Sequence, residues 1–344
     1  MNKQHILDLS LAGLKQLLSK WGEPEYHAVQ IFSWIYQKSV LDFSGMSNLS
    51  VLLRKKLEEN LFISGFKLKK KLVSGDTTQK LLFELCDKNL IEAVIIPVQD
   101  RVTGCLSSQV GCRYGCGFCA SGKLGFKRNL SSGEIIEEAL WLKDNAPEKT
   151  LTHLVFMGVG EPLDNYDNVL KAIRIINSKE SLNIGARRIT ISTCGLIPGM
   201  KRLQEEGLQV ELSISLHAAD DKTRSRLMPI NKKYPLSVLI SACRDYIKKT
   251  DRQITFEYIM FRGLNSSLQS AQNLSKILRG LNCKVNLIPA NPVKECGLEP
   301  PNKLEALIFK DHLLKHGINV TVRRERGLDI EAACGQLRLR YENK

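Results

Sequence analysis

The chain predicts an α/β fold: a partial barrel of roughly six strand–helix units, preceded by a small helical domain and a β-hairpin linker. Three observations predict it. From residue 103 onward, strand-length apolar segments alternate with helix-length amphipathic ones. The first 60 residues carry helical periodicity alone, and two strand-like runs split by a turn lie between these regions. Strand–helix alternation demands parallel strands joined by right-handed crossovers, and this number of units is too small for a closed eightfold barrel.

The elements follow in order. In 1–62, Leu14, Leu17, Leu18 and Trp21 share one helical face. Ile31, Trp34 and Ile35 repeat the pattern after the break at 22–24, and a third helix fits 49–61. A basic run, Lys67, Lys69, Lys70 and Lys71, leads into QKLLFEL and LIEAVIIPV, which are separated by a turn at 87–89. The stretch 63–98 therefore reads as a hairpin linker. The core, 99–344, opens with a strand at 103–109 and a helix at 131–145. It continues with 151–157 and 165–178, then 187–193 and 196–206. Strands at 209–216, 252–260 and 283–289 are each followed by a helical stretch, and a last strand fits 318–324.

Composition narrows the function classes. With 344 residues, 43% of them hydrophobic, the chain can bury one large core and a small appended domain. Lys plus Arg number 50 against 36 Asp plus Glu, a net +14. That surplus favours a polyanionic partner, although charge alone is equally consistent with a solvated basic surface. The opening MNKQHILDLSLAGLKQLL mixes charge through its apolar periodicity and has no signal-peptide core. No apolar run reaches the roughly 18 residues a membrane span needs. Ten cysteines in such a chain point to the reducing cytoplasm, where thiols serve as ligands or catalysts.

The strongest chemical signal is GCRYGCGFCASG, which spaces Cys112, Cys116 and Cys119 as C-x3-C-x2-C. A structural zinc asks for four protein ligands, usually two C-x2-C knuckles, and no second knuckle occurs. Three thiolates on one loop match a [4Fe–4S] cluster with one iron left open to a substrate. Phe118, beside the last of them, is placed to cover the cluster and pack on a bound base. FMGVGE is weaker: its third glycine position is Leu163, so it fails as a dinucleotide fingerprint. Gly158 and Gly160 can still admit a ligand close to the backbone, and Glu161 can accept from an ammonium group. Taken alone, His217 reads as a satisfied core-edge histidine and Ser192 carries no signal. Cys105 and Cys334, taken singly, read as small buried hydrophobes, yet Cys334 sits in the polar, small-residue segment AACGQL.

The cysteine loop resembles that of the radical S-adenosylmethionine superfamily, and the surrounding SSQVGC…GCGFCASG resembles the RlmN/Cfr family of RNA methyltransferases within it. The likeness recurs at FMGVGEPLDNYDNV, ITISTCGLIP, LSISLHA, RLMPIN, NLIPANP and RRERGLDIEAACGQL, and covers essentially the whole chain. The resemblance implies a (β/α)6 radical S-adenosylmethionine barrel with a cluster on Cys112, Cys116 and Cys119. It assigns Gly160, Glu161, Ser192, Ser215, Leu216, His217 and Asn291 to S-adenosylmethionine. It makes Cys334 the carrier of a methyl group, Cys105 the thiol that resolves the adduct by forming a disulfide, and Glu92 the proton acceptor. The chain departs from the family's usual form at His27, Val159 and Ser266.

The chemistry explains the thiols. Adenine C2 and C8 are electron-poor and lack a lone pair, so neither can attack a sulfonium methyl, whereas a radical can add. The implied activity is methylation at C2 of an adenine in 23S ribosomal RNA and of the adenine beside the anticodon in transfer RNA. The 1–62 domain is then an RNA-binding accessory, the electron donor flavodoxin-like, and the protein a cytoplasmic monomer. Lys67, Lys69, Lys70, Lys71, Lys123, Lys127, Arg128, Arg187, Arg188, Arg323, Arg324 and Arg326 are candidate RNA contacts. Two alternatives stand beside this reading: C8 methylation of the ribosomal adenine, and a non-catalytic iron–sulfur RNA-binding protein. Mere binding needs neither Cys105 nor Cys334.

Overall fold

A computed structural model describes residues 3–290, 298–323, 326–332 and 336. Asn291, Cys296, Arg324 and Cys334 lie outside the described residues.

The N-terminal helices are α1 (Leu11–Lys20), α2 (Tyr26–Phe32) and α3 (Val51–Asn60), with a π-helical turn over Ser33–Gln37. Ser10 and Ser50 cap α1 and α3 by accepting from Gly13 and Leu53 amides. A short parallel pair, β1 (Gln4–His5) and β2 (Leu61–Phe62), closes this region. It is welded to the rest by two carboxylates, the half-buried Asp8 and the buried Glu137. Asp8 accepts from the Ser132 hydroxyl and the Gly133 amide, both at 2.7 Å. Glu137, fully buried, accepts from the Ser64 hydroxyl at 2.6 Å and the Phe66 amide at 3.0 Å.

The basic run expected to lead into a hairpin is itself a strand. β3 (Lys67–Val73), β4 (Gln79–Glu84), β5 (Leu90–Val98) and β6 (Arg101–Cys105) form an antiparallel meander. β6 then pairs in parallel with β9 (His153–Phe156), so the meander continues the core sheet. Beyond β9 come β10 (Ile189–Thr193), β11 (Glu211–Ser215), β12 (Ile254–Met260), β13 (Cys283–Pro289) and β14 (Asn319–Val322), each parallel to its predecessor. The ten-stranded sheet runs β14-β13-β12-β11-β10-β9-β6-β5-β4-β3. Its parallel half never reverses order, which for right-handed crossovers keeps every helix on one face. The crossovers are α5 (Ser132–Asn145), α6 (Tyr166–Asn177), α7 (Ile197–Leu203), α8 (Asp221–Leu227) with α9 (Leu236–Thr250), α10 (Leu268–Leu278) and α11 (Lys303–Lys315). Six strand–helix units and one closing strand make the expected open (β/α)6 barrel.

One expected strand is broken. The 103–109 segment ends as β6 at Cys105, and β7 (Gln109–Gly111) pairs instead with β8 (Phe126–Asn129). Between them lie the cysteine loop and the single turn α4 (Ala120–Lys123). The cysteine loop is thereby carried by a separate two-stranded sheet and not by a strand of the main one. Among the described residues, no helix is long and apolar enough to cross a membrane.

Candidate active site

The inner face of the sheet, opposite the helices, is where polar side chains remain. β10 shows why: Ile189, Ile191 and Thr193 are buried, while Thr190 and Ser192 are half-exposed on the other face. A cleft opens there, at the C-terminal ends of the strands, where ligand groups collect in parallel α/β folds. It brings together Cys112, Cys116, Cys119, Gly160, Glu161, Ser192, Ser215 and His217, eight of the residues singled out in the sequence.

The cysteine loop is pinned by the other motifs. Asp164, from the GEPLDN stretch, accepts from Arg113 Nε and Gln109 Nε2 at 2.9 Å each and from the Tyr114 hydroxyl at 3.3 Å. The Gly117 amide donates to the Leu227 carbonyl at 2.8 Å, tying the loop to the RLMPIN stretch. Burial pushes the Cys112 thiol up to about 12 and Cys116 well above its usual value, with the neighbouring thiolates and Glu161 adding to the rise. Metal binding at these thiols must therefore displace protons. Among the described residues no three thiol, imidazole or carboxylate groups are drawn together to hold one metal ion. A four-iron cube makes a looser demand, because each thiolate takes its own corner iron. Three thiols on one anchored loop at the cleft wall fit that demand.

Glu161 is buried, its oxygens accepting from the Cys194 amide at 2.7 Å and the Leu163 amide at 3.0 Å. Burial raises its pKa, against which those hydrogen bonds work. A cation in the cleft stabilises its charged form. His217 has φ 56°, and its Nδ1 accepts from the Ile259 amide at 3.0 Å. Nε2 therefore carries the proton, and burial lowers the ring's pKa to about 3, so His217 is a neutral donor. Phe118 meets it edge-on at 4.8 Å between ring centroids. Leu216 points into the core; its carbonyl, not its side chain, is engaged, accepting from Arg224.

The glycines of FMGVGE answer first to the chain's own backbone. A Cβ on Gly158 would stand 2.5 Å from the Leu106 carbonyl oxygen, and one on Gly160 2.8 Å from the Gln109 amide nitrogen. The 106–109 and 158–160 segments lie against each other, so both glycines are needed by the protein's own packing while they also line the cleft.

Arg224 is a residue the sequence did not single out. It is fully buried, donating to the Leu216, Cys194 and Ser215 carbonyls and to Asn231 Oδ1, at 2.9–3.2 Å. It holds the ends of β10 and β11 in place beside the cleft. Replacing it with Met strands four acceptors, so Arg224→Met should cost about 3 kcal/mol or more in chemical denaturation.

Cys105, the last residue of β6, lies in an adjacent nest with Val94, Val155, Val159 and Ala332, against which Ile96, Met157 and Ile330 pack. Met157 also lines the cleft, so the nest and the cleft share a wall. Register places Val94 opposite Cys105, and Glu92 two residues along β5 therefore faces the same side. Glu92 is buried, with Lys80 Nζ 3.2 Å from its Oε1. Among the basic residues, Arg128 is committed to Asp87 and Glu134, at 2.6 and 2.8 Å, and Lys127 to Asn89, so both brace the fold.

Comparison with known proteins agrees with this geometry. Residues 106–269 match the radical SAM superfamily, and residues 4–63 match the ribosomal RNA large subunit methyltransferase N-terminal domain. A probable dual-specificity RNA methyltransferase RlmN of Clostridium novyi is 46% identical over 339 residues, 98% of each chain. Another from Geobacillus kaustophilus is 46% identical over 336 residues, 97% of this chain and 92% of that one. The crystal structure of a radical SAM methyltransferase from Sphaerobacter thermophilus superposes with a TM-score of 0.96 at 43% identity, covering 98% of this chain and all of that one. With motifs, fold and near-full-length likeness in agreement, the chain belongs to the RlmN family of radical SAM RNA methyltransferases.

Proposed function

We propose that this enzyme methylates C2 of a specific adenine in 23S ribosomal RNA and of the adenine next to the anticodon in transfer RNAs. The observation that carries the reading is the nest around Cys105: Ile330 and Ala332, the residues leading to Cys334, pack in it. The segment that leads to Cys334 is thereby held against Cys105, on the face of the sheet that Glu92 shares. Binding alone gives no reason for that arrangement.

Membership of the superfamily implies a [4Fe–4S] cluster and S-adenosylmethionine. Cys112, Cys116 and Cys119 are the proposed cluster ligands. Gly160, Glu161, Ser192, Ser215, His217, the Leu216 backbone and Asn291 are proposed to hold S-adenosylmethionine, with Glu161 facing its ammonium group. Together the two supply the radical chemistry that no side chain provides. The protein's own share is nucleophile and base. Cys334 carries the methyl group as a thioether. Glu92 takes the proton from the substituted ring carbon. The Cys105 thiolate then attacks Cys334 Sγ: the carbon–sulfur bond breaks, a disulfide forms, and the electron pair left on carbon takes up a proton to complete the new methyl group.

The 1–62 region serves as the RNA-binding accessory domain, 63–98 as the strand meander joining it to the 99–344 catalytic core. A flavodoxin-like donor reduces the cluster, and the enzyme works as a cytoplasmic monomer. Phosphate contacts provide affinity, and the target base leaves its stack to reach the cleft. Nucleoside mass spectrometry of treated 23S RNA should give 2-methyladenosine. A dominant 8-methyladenosine product would place the enzyme with the C8 alternative instead.

A further inference from the structure

β4 is an interior strand whose middle residues are Lys80, Leu81, Leu82 and Phe83, all buried. A lysine there is costly unless paired, and an apolar replacement of the whole buried pair with Glu92 would serve stability as well or better. Lys80 spends its donors in two directions. One reaches Glu92 Oε1 at 3.2 Å, the other the carbonyl of Glu331 at 3.1 Å. Glu331 belongs to the C-terminal segment, three residues before Cys334.

The β3–β4 turn grips the same segment. Ser74 Oγ donates to Asp329 Oδ1, and the Gly75 amide to Asp329 Oδ2 at 3.2 Å. In the other direction the Gly327 amide donates to Asp76 Oδ2 at 3.1 Å, and Arg326 Nη1 lies 3.9 Å from the same oxygen. Gly327 has φ 62°, and a Cβ there would stand 2.9 Å from both Thr78 Cγ2 and Ala332 Cβ. Carboxylates from each side thus cap backbone amides of the other, an interlock that nothing in 74–80 needs for its own hairpin.

We propose that residues 74–80 form a dock for the C-terminal cysteine segment, and that Lys80 is its positioning residue, coupling the docked segment to Glu92. The proposal rests on the reading above, in which Glu92 is the base and Cys334 the methyl carrier. Lys80 anchors the Glu92 carboxylate through Oε1 and fixes the segment by one carbonyl. The base is thereby held beside a docked segment.

Hydrogen exchange of the 327–332 amides, together with turnover on RNA by the cluster-loaded enzyme, tests it. Lys80→Met should lower protection of those amides by about tenfold or more, the loss of a charge-assisted hydrogen bond. Its turnover should fall by about a hundredfold or more, as loss of a positioned base does. The buried Glu92 carboxylate loses its ammonium partner, so thermal stability should fall as well, and Lys80→Met is assayed at a temperature where it is fully folded. Lys80→Arg, whose guanidinium can reach both acceptors, should recover part of both signals. Glu92→Gln should lose turnover but keep protection, since Lys80 still holds Glu331. Asp329→Asn should loosen the segment with Lys80 intact. Wild-type turnover and unchanged protection in Lys80→Met would overturn the proposal, and lost turnover with unchanged protection would overturn the dock. Full turnover in Glu92→Gln would instead overturn the assignment of the base, a failure that the protection measurement separates from failure of the dock.

Discussion

Cys105→Ala should trap the enzyme on its RNA. If Cys334 carries the methyl group and Cys105 releases the product, this variant can load the methyl and join it to the base, yet nothing then attacks the Cys334 sulfur. A covalent protein–RNA adduct should accumulate, visible as slow-migrating protein that ribonuclease collapses. Peptide mass spectrometry should place a methylene-linked adenosine on Cys334. Cys334→Ala should form no adduct, and neither should the double variant, because no carbon–sulfur bond is made. Cys105 sits in an apolar nest against Ile330 and Ala332, so the substitution removes a sulfur and little packing. Normal turnover by Cys105→Ala without added thiol would return both cysteines to a structural role.

Loss of any one of Cys112, Cys116 and Cys119, the proposed cluster ligands, should be as complete. Protein purified without oxygen should hold about four irons and four sulfides and absorb as a [4Fe–4S] centre. Cys112→Ala, Cys116→Ala and Cys119→Ala should each abolish that absorption and all methylation. Their folds should survive, since the loop is held by Asp164 and by the Gly117 amide and not by the thiols. Cys194→Ala is the control: Cys194 lines the same cleft but lies outside the cysteine loop, bonded to Glu161 through its amide and its thiol. It should keep the cluster. Stoichiometric zinc in place of iron would end the radical mechanism.

The two isolated thiols show where sequence reading stops. Cys112, Cys116 and Cys119 announce themselves because a metal loop is local: its ligands must lie within a few residues to converge, so spacing alone carries the signal. Cys105 and Cys334 have no such spacing, and without the family resemblance each reads as a core hydrophobe. Arg224 and Lys80 carry no sequence signal for the same reason. An arginine after Thr223 reads as a surface charge, and a lysine in QKLLFEL as an exposed strand position. Both are buried because acceptors from distant segments meet there.

What the sequence determined by itself is whatever short-range physics governs. Alternation of strand and helix from residue 103, the caps at Ser10, Ser50 and Ser131, and the parallel order of the barrel all follow from periodicity, side-chain capping and chain handedness. What only the tertiary structure decided is register. Setting Val94 opposite Cys105 puts Glu92 on the same face as that thiol, and a slip of one residue would turn it to the other side. The strand expected at 103–109 stops at Cys105 because 106–109 packs against 158–160, where a side chain on Gly158 or Gly160 would collide. The grip of 74–80 on 326–332 joins the strand meander to the C-terminal segment through hydrogen bonds that neither segment shows alone. Such contacts leave no periodic trace, because their partners meet only after the sheet has set its strands side by side.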